Sequence, residues 1–222
     1  MKAMILAAGR GERMRPLTDS LPKPLLMVGG KPLIVHHIEK LKAAGVRELV
    51  INHAWLGDKL VAALGDGSQF GVQIAWSAEA TALETAGGIV QALPLLGDAP
   101  FLVINGDTWL GLDYTPLVSQ ELGGDLAHLW LVTNPPQHLD GDFSLEGDRV
   151  WDRPGLTFSG VGLYQAEAFS ALTPGSRKLA PQLRDWMAQG RVGGSLLTGD
   201  WRDIGTVARL RALDDELVSS TN

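Results

Sequence analysis

Leu6-Ala7-Ala8-Gly9-Arg10-Gly11-Glu12-Arg13-Met14-Arg15-Pro16-Leu17-Thr18, closing on Leu21-Pro22-Lys23-Pro24-Leu25, is the stretch on which the reading of this chain turns. It leaves an apolar run, Lys2–Ala7, that reads as a buried strand. Small residues at Ala7, Ala8, Gly9 and Gly11 remove side-chain bulk at the strand exit, so backbone N–H groups can approach an anion closely. Arg13 and Lys23 would bring charge to phosphoryl oxygens, and Pro22 and Pro24 stiffen the backbone that presents Lys23. A Walker A loop would need Gly-Lys-Ser/Thr before its helix, and the dinucleotide fingerprint would need a third glycine where Met14 stands. Both of those readings, and with them a Rossmann oxidoreductase, lose ground. A plain tight turn after a strand is the other reading that the spacing allows.

Outward from the loop, strand-like and helix-like segments alternate. Pro32–Ala44 repeats apolar residues at helical spacing, with proline early and Gly45 at its end. Leu49–Asn52, Val72–Trp76 and Phe101–Asn105 read as strands, and Gly57–Leu64 and Thr85–Leu93 as the helices between them. This predicts an α/β fold: a Rossmann-like, doubly wound, mostly parallel mixed sheet with helices on both faces. The later segment is less regular, with strands expected at Leu126–Val132, Ser144–Trp151 and Phe158–Tyr164, a helix over Leu179–Gln189 and a terminal helix from Thr206. Pro135 to Asp142 reads as a surface loop at the substrate mouth. No boundary or repeat divides the chain, so one domain over 1–222 is expected.

The composition narrows the chemistry. With 45% hydrophobic and 20% charged residues in 222, the chain can bury a substantial core. It has no cysteine, and its five histidines form no His-x-x-x-His pair, which excludes disulfides, thiolate zinc sites and a cysteine nucleophile. No apolar run approaches the ~20 residues of a membrane span, so a cytoplasmic protein without membrane partners is expected. Residues 1–31 carry a local net charge of +4, leaving −10 for the remainder. An acidic remainder argues against nucleic acid, while a compact cationic focus suits a nucleoside triphosphate. A solvated charged loop is the bland alternative.

Asp107 ends a buried-strand run, Phe101–Asn105 then Gly106-Asp107, at the sheet edge where α/β ligands bind. A carboxylate facing a polyphosphate there calls for a hard cation such as Mg²⁺, although a cap or turn residue would read the same. Trp201-Arg202-Asp203-Ile204-Gly205-Thr206 offers a second carboxylate before the last helix, or simply a structural turn.

The run L-A-A-G-x-G-x-R-x-x-P-x-T with P-K-P at 22–24 resembles the signature of the sugar-1-phosphate nucleotidyltransferases. The resemblance spans residues 3 to 206 and implies that 1–110 form a nucleotide-binding half and 111–222 a sugar-phosphate-binding half. It implies an enzyme that joins a nucleotide to a sugar 1-phosphate, with Arg13 and Lys23 on phosphates and Asp107 and Asp203 holding Mg²⁺. It implies that Ala7, Ala8, Gly9 and Gly11 bind nucleotide, and that Glu79, Thr85, Ala86 and Gly87 form the base-recognition segment, where Glu84 replaces the usual glycine. Thr85-Ala86-Gly87 could equally be a helix start. On the sugar side the resemblance points to Gly160 and Asn105, with Lys178 as a cation for phosphate or carboxylate or as a solvated lysine. Many relatives continue into a β-helical domain, and none is expected here. A monomer or weak homodimer is expected, and a non-catalytic nucleotide-sugar-sensing module is the rival of another class.

Overall fold

Alternation along the first strand sets the layers. In the computed structural model, which describes residues 1–219, β1 (Lys2–Leu6) turns Ala3 and Ile5 to one face and Met4 to the other, all fully buried. A strand apolar on both faces must be covered on both.

The chain runs through α1 (Leu17–Ser20), a small hairpin of β2 (Met27–Val28) and β3 (Lys31–Pro32), then α2 (Leu33–Ala43), β4 (Glu48–His53) and α3 (Gly57–Leu64). It continues with β5 (Gln73–Ala78), α4 (Glu84–Leu96), β6 (Phe101–Asn105), β7 (Thr108–Gly111), α5 (Thr115–Val118) and β8 (Ala127–Val132). The rest is β9 (Phe143–Glu146), β10 (Arg149–Tyr164), α6 (Leu179–Ala188), β11 (Val192–Leu196), β12 (Asp200–Asp203) and α7 (Val207–Ser219). The main sheet has the order β11-β8-β10-β6-β1-β4-β5, with β9 on β10. β6, β1, β4 and β5 are mutually parallel, and β10 runs antiparallel to both β6 and β8. This is the expected doubly wound, mostly parallel mixed sheet, and strands from both halves of the chain lie in it.

One face is covered by α2 and α3 through Ile34, Ile38, Leu41, Leu60 and Leu64, and the other by α4 and α6 through Ile89, Leu183, Trp186 and Met187. A third cluster joins Met14, Leu33 and Trp109 to Ile204, Leu210 and Leu213. The Gly29 N–H also donates to Asp214 Oδ1 at 2.7 Å. The last helix is thereby docked beside the glycine-rich loop, which carries Asp203 to the same edge of the sheet.

Three expectations change in detail. Ser144–Trp151 is broken by a turn at Gly147, whose φ of +62° favours glycine. Phe158–Tyr164 is the end of β10, which runs on from Arg149 through Pro154 and Gly155 because register irregularities between Trp151 and Leu156 relieve the ladder there. The antiparallel ribbon of β7 and β12 was not anticipated, since each strand is only 4 residues long. Residues 220–222 of the expected domain lie outside the described residues. Among the described residues no helix is long and apolar enough to cross a membrane.

Candidate active site

β1 and β6 end side by side, Leu6 against Asn105 in register, and the chain beyond each strand turns toward the other. A Cβ on Gly106 would sit 2.7 Å from the Leu6 carbonyl oxygen, so glycine is what lets the two exits close up. Between them opens a cavity of about 530 Å³. Ala7, Ala8, Gly9, Gly11, Arg13 and Lys23 form one wall, Glu79, Glu84 and Thr85 the other, and Asn105 and Asp107 lie between.

Local contacts explain the loop. A Cβ on Gly9 would meet nothing within 4 Å, so its lack of a side chain leaves the cavity open without relieving any contact in the protein. Gly11 is different: its φ is +66°, and a Cβ there would lie 2.9 Å from Thr18 Cγ2 and 3.2 Å from Lys23 Cβ. The Thr18 hydroxyl donates to the Gly11 carbonyl at 2.8 Å, so the loop is folded onto the segment that carries Lys23. Arg10 stacks 4.5 Å from the Trp55 ring centroid, and the Trp55 indole N–H donates to the Thr18 carbonyl at 3.1 Å. Arg10 lines the cavity, and neither it nor Trp55 was singled out from the sequence.

The charged groups converge. Lys23, buried, donates to Asp107 Oδ2 at 2.8 Å. β12 pairs with β7 so that Asp203 lies opposite Thr108, and the Ile204 N–H donates to the Asp107 carbonyl at 3.2 Å. Asp107 and Asp203 line a common cavity of about 280 Å³ with His138 and Asp142. A Cβ on Gly205 would lie 3.0 Å from an Arg13 guanidinium nitrogen and 3.0 Å from Asp203 Oδ2, which puts Arg13 at the same spot. The Arg209 guanidinium holds Asp203 through Oδ2. Behind them His37 is buried, its Nδ1 2.7 Å from the Tyr114 hydroxyl and its Nε2 2.9 Å from the Thr108 carbonyl. Those partners suit a neutral ring that donates through Nε2 and accepts at Nδ1. Burial pulls the ring from its ordinary 6.5 to about 4.

Glu79, expected on the base, is buried with both carboxylate oxygens in use. Oε1 accepts from Asn52 Nδ2 at 2.7 Å, and Oε2 accepts from the Leu83 N–H at 2.8 Å. Asn52 Oδ1 in turn accepts from the Ala7 N–H at 2.8 Å, so the pair straps the glycine loop to the 79–83 segment. Ala86 and Gly87, also expected on the nucleotide, stand behind the cavity wall in the packing of α4, while Thr85 lines it. Gly87 is bare because a Cβ there would sit 2.3 Å from the Gly175 carbonyl oxygen.

A second cavity of about 280 Å³ adjoins the first across Asn105. Phe143, Phe158, Gly160, Tyr164 and Lys178 line it. Gly160 has φ +81°, and a Cβ there would fall 2.6 Å from Asn105 Nδ2, so the glycine makes room for the amide. Asp142, at the end of the 134–142 loop, also lines it, and that loop is fixed by the Phe158 N–H donating to Asp142 Oδ2 at 2.8 Å and by the Asn134 amide donating to the Gly155 carbonyl at 2.7 Å.

Residues 2–127 match the nucleotidyl transferase family model. The chain is 59% identical over 221 residues, 95% of this chain and 96% of the relative, to the N-acetylmuramate alpha-1-phosphate uridylyltransferase of Neisseria meningitidis. Its identity to the enzyme of the same name from Caulobacter vibrioides is 34% over 220 residues, 91% of each. A Bacillus anthracis structure described as a glucose-1-phosphate thymidylyltransferase superposes with a TM-score of 0.87 at 25% identity, covering 98% of this chain and 95% of that one. With the glycine loop, its lysine and two aspartates gathered at one sheet edge, the chain belongs to the nucleotidyl transferase family.

Proposed function

We propose that the chain transfers a uridylyl group from UTP to N-acetylmuramate α-1-phosphate, giving the nucleotide sugar and pyrophosphate. The observation that carries this reading is the meeting of Arg13, Lys23, Asp107 and Asp203 at the edge of the larger cavity behind the glycine loop, beside the pocket that Asp107 and Asp203 share. Identity along nearly the whole length of a relative of that activity supports the choice of base and sugar. So do the Leu83-Glu84-Thr85-Ala86-Gly87-Gly88 variant and the Asn134 to Phe143 loop.

The triphosphate would lie along the loop at Ala7, Ala8, Gly9 and Gly11, the base against the 82–85 segment, and the sugar phosphate between Asn105, Gly160 and Lys178. A phosphate oxygen is already anionic, so attack on the α-phosphorus needs no general base and no covalent enzyme intermediate. Arg13 and Lys23 orient the phosphates and offset charge as it develops. Asp107 and Asp203 fit Mg²⁺: they are two carboxylates lining one cavity, Asp107 in the turn before β7 and Asp203 at the end of the paired strand β12, and Mg²⁺ is commonly held by one or two carboxylates with phosphates and water completing its shell. When bound there, Mg²⁺ would neutralise phosphate charge and favour the leaving pyrophosphate. A role in cytoplasmic peptidoglycan recycling, by a monomer or weak homodimer that binds no nucleic acid, completes the reading.

The test is pyrophosphate release from UTP, dTTP, GTP and CTP, each against muramyl, glucosyl, mannosyl and glucosaminyl 1-phosphates, with and without Mg²⁺. UTP with the muramyl substrate should lead, and chelation should abolish turnover. A clear lead for dTTP with glucose 1-phosphate would overturn the substrate reading. No release from any pair would overturn the activity and favour a sensing module.

A further inference from the structure

Glu84 opens α4 at a φ of +60°, a left-handed conformation that favours glycine. The backbone on either side is pinned. The Leu83 N–H donates to Glu79 Oε2 at 2.8 Å, the Leu83 carbonyl accepts from the Arg177 N–H at 2.8 Å, and the Gly87 N–H donates to the Arg177 carbonyl at 3.1 Å. Strain at a non-glycine residue persists where its surroundings dictate the conformation, and such residues gather at ligand sites. In the free protein the side chain gains nothing for it: Glu84 is exposed, and its carboxylate has no hydrogen-bond or ion-pair partner among the described residues.

Its location supplies the missing partner. Leu6, Glu84, Thr85 and Asn105 are the residues that line both the larger and the smaller cavity, and Glu84 carries the charge among them. A carboxylate at such a junction repels phosphate and can only accept hydrogen bonds. Phosphate is already served by Arg13 and Lys23. The segment that pins Glu84, around Arg177, leads directly into Lys178 on the wall of the smaller cavity. We infer that Glu84 is a specificity-determining residue whose carboxylate accepts a hydrogen bond from an N–H or O–H donor on the ring of the acceptor sugar, where the two cavities meet. This rests on the reading of the smaller cavity as the sugar-phosphate site.

The test compares wild type with Glu84→Gly and Glu84→Gln on the panel of sugar 1-phosphates. Glycine suits the backbone conformation, so Glu84→Gly should fold at least as well as wild type. Losing a hydrogen bond to a charged group should raise its KM for the preferred sugar phosphate about tenfold, with kcat and the KM for the nucleoside triphosphate within about threefold. Glu84→Gln keeps an acceptor at the same place and should stay within about threefold of wild type on every parameter. An unchanged sugar-phosphate KM in Glu84→Gly would overturn the inference while leaving the proposed activity intact. A rise confined to the KM for the nucleoside triphosphate would also overturn it, assigning the carboxylate to the ribose or base. Absence of turnover by the wild type on every pair would overturn both readings.

Discussion

The two cavities are built in opposite ways. The larger is a by-product of the parallel sheet: β1 and β6 stop together, and the segments that leave them supply the glycine-rich wall and Lys23 after β1 and Asp107 just after β6. The smaller depends on remote pieces: the far end of an antiparallel strand, a loop tied down by Asn134 and Asp142, and the start of α6. In the first the cation is buried and already paired. In the second Lys178 is exposed, with no ion-pair partner among the described residues. Under the proposed function, the chemistry resides where charge is preorganised and the choice of substrate where it is not.

Substitution should separate them. Lys23→Ala removes the preorganised cation, and turnover should fall on the order of 10²-fold or more in a pyrophosphate-release assay. A loss of less than about threefold would erase the distinction.

The next effect tests the support behind the larger cavity. His37 has a folded pKa of about 4 against an ordinary 6.5, so between those values the unfolded chain takes up a proton that the native protein refuses. Its contribution is therefore present in full above pH 6.5 and is lost as pH falls toward 4. Over that window it should amount to roughly 3 kcal/mol, and His37→Gln should flatten the corresponding part of the curve from denaturant unfolding at each pH. An unchanged slope would show that His37 charges freely in the native state.

Behind the cavity wall Gly87 packs against the Gly175 carbonyl. Gly87→Ala should cost about 2 kcal/mol by overpacking, read as a lower denaturation midpoint. A neutral result would mean that the 175–177 segment can move aside. Lys178→Ala, the mildest change, should raise the KM for the sugar phosphate by about threefold to tenfold while sparing kcat. If it lowered kcat as Lys23→Ala does, the division of labour would fail.

The same contrast governs what could be read in advance. The glycine loop, Lys23, Asp107 and Asp203 stand out as short local signatures, and β1 and β6 are apolar on both faces, so sheet and edge followed from the sequence. Asn52 looks like any residue at a strand end, and only the fold shows it linking Ala7 to Glu79. His37 and Arg209 sit on ordinary helical spacing, and nothing in a one-dimensional pattern says that one reaches the Thr108 carbonyl and the other Asp203. Gly87 looked like a place for a base because bare backbone suits both a ligand and a tight protein contact, and only the fold shows the Gly175 carbonyl lying against it. β10 was split in two because proline and glycine usually end strands, whereas here they fall in its irregular stretch.

The β7 and β12 ribbon acts as a caliper. Facing positions on an antiparallel pair stand about 5 Å apart, a gap set by main-chain hydrogen bonds whatever side chains surround them. Asp203, opposite Thr108, and Asp107, bonded through its carbonyl to the Ile204 amide, are thus spaced by a ladder that amino-acid substitution scarcely touches. The interior can drift in sequence and the cavity walls can change while the jaws keep their setting.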